Sequence, residues 1–530
     1  MLPMTRRPSP LAVVLASVLA HAPLMTAAAG QGASGTPLLA GRVFLDLDGD
    51  GRWREGEPGV AGVAVSDGGR WGRSAEDGRY TLAAGSGPRE PLFVVKPPAY
   101  ALARRPDGLP DAWRPAGTRS WDIPLREAPQ AMPYEVRLFG DPQAKNEADV
   151  GFFRRDIVES ELALPRARLG LSLGDIVHSN LALYPAMVRA TAAMRTPWLH
   201  VSGNHDRDHG AGSDEGSLAT FRRFFGPDTF AWEEPGMALV VLDNTVHEPG
   251  SGVPARYVGG LREAQFRFLE AYLAMLPADR LLLVAMHIPL FDTNPDPAVD
   301  SFRDADRQRL YRLLAVHPRV LLLSSHTHQQ QHRWHGAAEG WPGTEPLHEY
   351  NVGAACGAFW SGVRDGRGIP DARMADGTPN GFATLAVRAG GAYDLRWHVA
   401  GDSHDPPFAL HAPSVLRRGA WPGFGLYANV WMGDAGTRVE YRVGEGAWQP
   451  MRRVDRPDPA LAAINADDDR ADALRAYDRA PEAVDSPHLW RGTLPTDLPA
   501  GEHVVEVRVF DRWRGELRRS LSYRLDDASP

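Results

Sequence analysis

Five short blocks of Asp, Gln, Asn and His carry the chemistry that this sequence offers. They are Asp141-Pro-Gln143, Gly174-Asp175, Gly203-Asn204-His205-Asp206, His287 within Met-His-Ile-Pro-Leu, and His326-Thr-His328. Taken singly each is weak, because a Gly-Asp pair is common and Gly-Asn also suits a tight turn. Taken together they supply oxygen and imidazole donors for divalent metal ions. Two such ions roughly 3.5–4 Å apart clamp the attacking and leaving oxygens of a phosphoryl group. The pair needs a bridging carboxylate, and Asp175 is the natural one. With Asp141 and Asp175 as the only carboxylates in the set, two divalent ions keep a positive surplus, which suits a phosphate anion. The i, i+2 spacing of His326 and His328 turns both imidazoles to one side of an extended segment.

Each block closes an apolar, strand-like run. YEVRLFGD ends at Asp141, RLGLSLGD at Asp175, PWLHVSGNHD at Asp206, RLLLVAMH at His287 and RVLLLSSH at His326. MALVVLDN ends at Asp243-Asn244, which is read as structural because the ligand set is complete without it. LREAQFRFLEAYLAML and DADRQRLYRLLAVH carry helical periodicity between these runs. Alternation of strand, loop and helix predicts a layered α/β domain over 131–400, with ligands gathered beyond the carboxyl ends of the strands.

The chain of 530 residues is 23% charged and 43% hydrophobic, an ordinary globular balance. Its net charge of −8 argues against a partner of long nucleic acid. Cys356 stands alone, so neither an intrachain disulfide nor a Cys-based zinc cluster is available. Arg6 and Arg7, the apolar run Leu11–Leu19 and Ala27–Ala29 read as a signal peptide over 1–29. Periplasmic or secreted placement follows, with no transmembrane segment after cleavage and with association to the cell envelope as an option.

The five blocks resemble the calcineurin-like metallophosphoesterase superfamily. The resemblance implies a four-layer α/β/β/α sandwich with a binuclear metal site. Carried over, Asp141, Gln143, Asp175 and His328 would hold one ion, and Asp175, Asn204, His287 and His326 the other. His205 would protonate the leaving oxygen or stabilise charge on the phosphate, with Asp206 orienting it. The commonest pattern at the first block is Asp-x-His, and here it is Asp-Pro-Gln. An amide oxygen is a harder and weaker ligand than imidazole, which favours Mn or Mg over Zn or Fe, Mn foremost. His178 and His209 lie beside the motifs; both are options for substrate contact, and each alone reads as a residue behind the ligands or facing solvent.

Residues 36–130 alternate short apolar runs with Gly, Asp and Pro clusters, a strand-and-turn signature. They resemble an Ig-like or transthyretin-like β-domain. Within them Asp46, Asp48, Asp50 and Glu57 fit a calcium-loop spacing, against the plainer reading of an acidic hairpin loop. Residues 403–530 alternate apolar and polar positions and are expected to form a C-terminal β-sandwich domain, interrupted by a loop or short helix between about 453 and 485. The three-domain order resembles bacterial exported phosphoesterases with N- and C-terminal β-domains. By that likeness the Gly- and Asp-rich stretch 351–382 lies over the metals, with Trp360, Asp365, Asp371, Asp376 and Asn380 as candidate substrate contacts. Cys356 within it reads as a small packed residue. The expected function is hydrolysis of a phosphate ester or pyrophosphate on a small phosphorylated substrate by a hydroxide activated by two divalent ions. The alternative is an exported binding or scaffold protein with a vestigial site, which would have no need to keep His205-Asp206.

Overall fold

The six apolar runs form strands buried along their lengths, as an α/β core requires of strands covered on both faces. A computed structural model describes residues 39–82, 90–248, 250, 256–294, 299–402, 404–421 and 424–528. The signal-peptide expectation lies outside these residues. Among the described residues no helix is long and apolar enough to cross a membrane.

Two sheets make the middle of the chain. The first has the order Trp198–Val201, Leu169–Leu173, Tyr134–Phe139, Gly381–Val387, Tyr393–Val399. Its first three strands run parallel, and the last two pair antiparallel. The second has the order Phe230–Glu234, Met237–Val241, Leu281–Ala285, Val320–Ser324, Leu347–Asn351, Gln331–His335. Its four inner strands are parallel and its two outer strands antiparallel. The helical periodicities become helices at Glu263–Leu273 and Asp304–Leu314, each burying one apolar face. This is a mixed α/β fold.

The two sheets meet at their carboxyl ends. Gly140, just past one strand, bridges in parallel to Ala354, just past another. Ala355 N donates to Gly140 O at 2.6 Å and Cys356 N to Asp141 O at 3.1 Å. Three of the ligand-bearing turns leave the first sheet and two leave the second, so this junction brings all five blocks together.

Before this region lie two four-stranded sheets, containing Leu39–Leu45 and Ala64–Ser66 respectively, with a shared core that includes Val43, Val65 and Ile123. After it lie a four-stranded and a five-stranded sheet around Val439, Trp490 and Val507. The segment expected to be a loop or short helix contains the helix Pro459–Asp469, whose first amides are capped by Asp458. Residues 352–380 contain no helix and no strand beyond isolated bridges, as their Gly- and Asp-rich composition predicts.

Candidate metal centre

Backbone conformation sets the ligands before any side-chain contact is considered. Asp141, Gln143, Asp175, His326 and His328 all have positive φ, between 35° and 73°. Left-handed backbone is costly for a residue with a Cβ, and such residues cluster at functional sites. Two glycines make room for them. A Cβ on Gly174 would lie 2.3 Å from His287 Nδ1, and one on Gly203 would lie 2.2 Å from Asp175 Oδ1.

His287 shows the logic of the site. It is fully buried, and its Nδ1 lies 2.8 Å from the carbonyl oxygen of Leu173, so Nδ1 carries the donated proton. Its Nε2 then faces Asn204 Oδ1 at 3.0 Å, His326 Nδ1 at 3.2 Å and Asp175 Oδ2 at 3.4 Å. Acceptors converging on a lone pair repel unless a positive charge sits among them. Burial pulls the pKa of His287 down, but Asp175 and Asp141 outweigh it and raise it to about 9. Burial and the neighbouring His287 lower His326 to about 3. Asp175, His287 and His326 present their ligand atoms within 4.8 Å of one another.

The other half is built the same way. His328 Nδ1 lies 2.6 Å from Gly357 O, which turns Nε2 toward Asp141 Oδ1 at 3.7 Å. Asp141 Oδ1 is buried without a hydrogen-bond partner, while Oδ2 accepts from the Ser325 hydroxyl and from His326 N at 3.0 Å. An orphaned carboxylate oxygen aimed at an imidazole lone pair fits a cation. Gln143 turns Nε2 to Asp175 Oδ2 at 3.2 Å and Oε1 toward the Cys356 thiol at 3.8 Å. Rotation of the amide would offer Oε1 in its place.

Residues 349–516 match the family described as the C terminal of calcineurin-like phosphoesterase. The chain is 28% identical over 159 residues to a probable cyclic nucleotide phosphodiesterase of Rhodopseudomonas palustris, covering 30% of this chain and 53% of that protein. It is 30% identical over 149 residues to a serine/threonine-protein phosphatase of Danio rerio, covering 26% of this chain and 46% of that protein. Over these stretches the chain is similar to a calcineurin-like phosphoesterase family, to a phosphodiesterase and to a phosphatase. It spans about half the length of the curated relatives it matches. Among solved structures, the purple acid phosphatase of yellow lupin (Lupinus luteus) seeds is similar at 15% identity and a TM-score of 0.38, over 65% of this chain and 66% of that one. Asp175, His287 and His326 together offer donors for a metal ion.

Several residues have other partners than the sequence suggests. Asp206 does not orient His205. Its buried carboxylate accepts from Gly203 N at 2.9 Å, Ile176 N at 3.1 Å and the Tyr184 hydroxyl at 3.0 Å, tying two ligand turns together. Burial and the charge of Asp175 raise its pKa to about 7. The His205 ring is held by Ser179 Oγ, 2.8 Å from Nδ1. Asp243 and Asn244 are structural as expected. Asn244 Oδ1 accepts from His287 N at 3.1 Å, and Asp243 pairs with Arg207 and Arg262.

The five candidate substrate contacts have other partners within the chain. Trp360 is buried and donates to Pro142 O, bracing the first ligand turn. Asp376 is fully buried against His488 and Gln330 N, and Asn380 is buried against Asp156 and Ala355 O. Asp365 and Asp371 form ion pairs with Arg367 and Arg373. Besides Cys356 and the Gly357 carbonyl, this stretch brings Phe359 to the site, its ring centroid 4.8 Å from that of His328 and 5.7 Å from that of His178. Sequence reasoning missed it, along with Ser179, Ser325 and the carbonyls of Leu173 and Gly357. A carbonyl carries no sequence signal at all, and Ser179 had only its place beside His178.

In the calcium-loop candidate, Asp46, Asp48 and Glu57 come together, but Asp50 does not join them. Arg54 draws Asp50 away through a side-chain ion pair.

Proposed function

We propose that this protein hydrolyses a phosphate ester or pyrophosphate with two divalent ions, Mn favoured, bound between its two central sheets. The observation that carries the reading is the convergence of unprotonated acceptors on His287 Nε2 together with the orphaned Asp141 Oδ1. Asp141, Gln143, Asp175 and His328 would hold one ion, and Asp175, Asn204, His287 and His326 the other. Ions bound there would polarise a phosphoryl oxygen and activate a water. The chain's own residues do the rest. Leu173 O and Gly357 O fix the His287 and His328 tautomers, and His205 faces the leaving oxygen to give it a proton. A cleft of roughly 610 Å³ opens beside His326, bordered by Tyr257, Ile288 and Ser301, and is of a size for a small phosphorylated substrate.

In this reading 131–400 is the α/β/β/α catalytic sandwich, flanked by β-domains at 36–130 and 403–530, and the protein is exported to the periplasm or beyond after removal of 1–29. A structural calcium would sit at Asp46, Asp48 and Glu57, seen as a calcium-dependent rise in Tm that Glu57→Gln abolishes.

The test is hydrolysis of p-nitrophenyl phosphate and bis-p-nitrophenyl phosphate by protein from Gly30 onward, with Mn²⁺, Mg²⁺, Zn²⁺ or EDTA. Turnover that needs metal and is lost in His205→Ala is expected. An absence of turnover, together with an empty site by metal analysis, would turn the reading to a binding protein.

A further inference from the structure

Resting on the proton-donor reading of His205, a second layer of order lies on the exposed side of that ring. Ser179 Oγ stands between two imidazoles, 2.8 Å from His205 Nδ1 and 2.9 Å from His209 Nε2. His178 backs the arrangement, its ring stacked on that of His205 with centroids 4.3 Å apart and planes at 24°. Ser179 has a positive φ of 64°, a conformation that a residue with a Cβ adopts only when its surroundings impose it. His178 N donates to Ala144 O at 2.9 Å, Ala144 bridges to Val177, and Gln143 N donates to Asp175 O at 2.9 Å. The serine is therefore anchored to the two turns that carry Gln143 and Asp175.

We propose that Ser179 is a positioning residue, clamped by His209, that holds the His205 ring with Nδ1 outward and Nε2 toward the substrate. The donor role sets the first hydrogen bond. A His205 able to give up a proton from Nε2 has both nitrogens protonated, so Nδ1–H donates to Ser179 Oγ. Ser179 then either donates its hydroxyl proton to His209 Nε2 or accepts from it through its second lone pair, and either bond ties the hydroxyl down. Burial, with His205, His247 and Arg207 nearby, lowers the pKa of His209 and so favours its neutral ring. When the bond from phosphorus to the leaving oxygen breaks, that oxygen takes the Nε2 proton and His205 becomes neutral with Nδ1–H still held by Ser179. No carboxylate does this work, because Asp206 is committed to Gly203, Ile176 and Tyr184.

Two measurements test the clamp. The first is hydrolysis of phenyl phosphate and p-nitrophenyl phosphate by the Mn²⁺-loaded full chain, in Ser179→Ala, Ser179→Gly and His205→Ala. A poor leaving group needs the proton most. Loss of one aligned hydrogen bond should therefore cut kcat on phenyl phosphate about tenfold in both Ser179 variants, and kcat on p-nitrophenyl phosphate much less, with KM unchanged. Ser179→Gly separates the hydroxyl from backbone strain, since glycine tolerates this φ. Equal loss on both compounds, or none, in the Ser179 variants while His205→Ala is selective would overturn the clamp and leave the donor reading standing. Equal loss in His205→Ala would instead remove the donor reading. The second measurement needs no activity. In ¹H–¹⁵N spectra of histidine-labelled metal-free protein, the His205 Nδ1 proton should be protected from solvent exchange, and lose that protection in Ser179→Ala. The same proton behaviour in both proteins would overturn the proposal.

Discussion

At the scale of the residue, Asp141, Gln143, Asp175, His326 and His328 owe their placement to left-handed backbone that only close-fitting neighbours sustain. The glycines beside them are therefore as constrained as the ligands. Gly203→Ala would drive a Cβ to 2.2 Å from Asp175 Oδ1 and 2.3 Å from Asp175 N. Misplacing a reacting group by about an ångström costs on the order of 100-fold in rate. The variant is expected to lose metal and about that much kcat while keeping its far-UV circular dichroism, checked by metal analysis and kinetics. Gln143→His replaces a buried amide with an imidazole in the Asp141 half-site, and should shift preference from Mn²⁺ toward Zn²⁺ or Fe²⁺. Competition between Mn²⁺ and Zn²⁺ under activity assay checks this, and an unchanged preference would remove Gln143 from the ligand set. The ligand types were legible at this scale because metal donors are few. Their partners were not, since Leu173 and Gly357 act through carbonyls that every residue possesses.

At the scale of the element, the strand Trp198–Val201 delivers Gly203 and Asn204 to the site and carries His200 beneath it. Neither ring nitrogen of His200 has a hydrogen-bond partner, and its ring centroid lies 4.3 Å from that of Phe225. Burial alone lowers its pKa to about 3. The unfolded chain binds a proton at His200 below about pH 6.5 that the folded chain refuses. Stability is thus lost as pH falls from about 6.5 toward 3, at up to roughly 1.4 kcal/mol per pH unit for this one group. His200→Phe should flatten the dependence over that window, measured by urea unfolding at successive pH values. An unchanged slope would mean that His200 already has a proton partner in the fold. The strands and the helices Glu263–Leu273 and Asp304–Leu314 were readable from periodicity, because burial on one or both faces leaves that trace.

At the scale of the whole molecule, the residues before the two central sheets are bound to that region by an aromatic seam and a buried ion pair. The Trp71 ring stacks on Phe268 at 5.2 Å and on Tyr272 at 6.0 Å, while Lys96 pairs with Glu234 at 2.8 Å. Phe268 is 1% exposed, so Phe268→Ala removes a buried ring from both partners of this contact. A loss of about 3–5 kcal/mol in unfolding free energy is expected, with metal affinity unchanged. Denaturant titration and metal titration of the full chain check the two parts. A much smaller loss would mean that the seam relaxes around the gap and that the N-terminal sheets sit on the core more loosely than drawn.

The sequence by itself determined the donors and the ends of strands on which they stand, because a metal ligand must be one of few residue types and a buried strand must be apolar. It also marked 351–382 as irregular through its Gly and Asp content. Tertiary structure alone decided which side chains meet. Asp141, Asp175 and Asn204 leave one sheet and His287, His326 and His328 the other, and only the junction at Gly140 and Ala354 makes them one site. The same junction buried Asp376 and Asn380 and left Phe359 beside His328, and it gave His205 to Ser179 and not to Asp206. The reason is physical. Neighbours along the chain are fixed by covalent geometry, whereas a hydrogen-bond partner across two sheets depends on register and loop path, which no local pattern of residue types encodes.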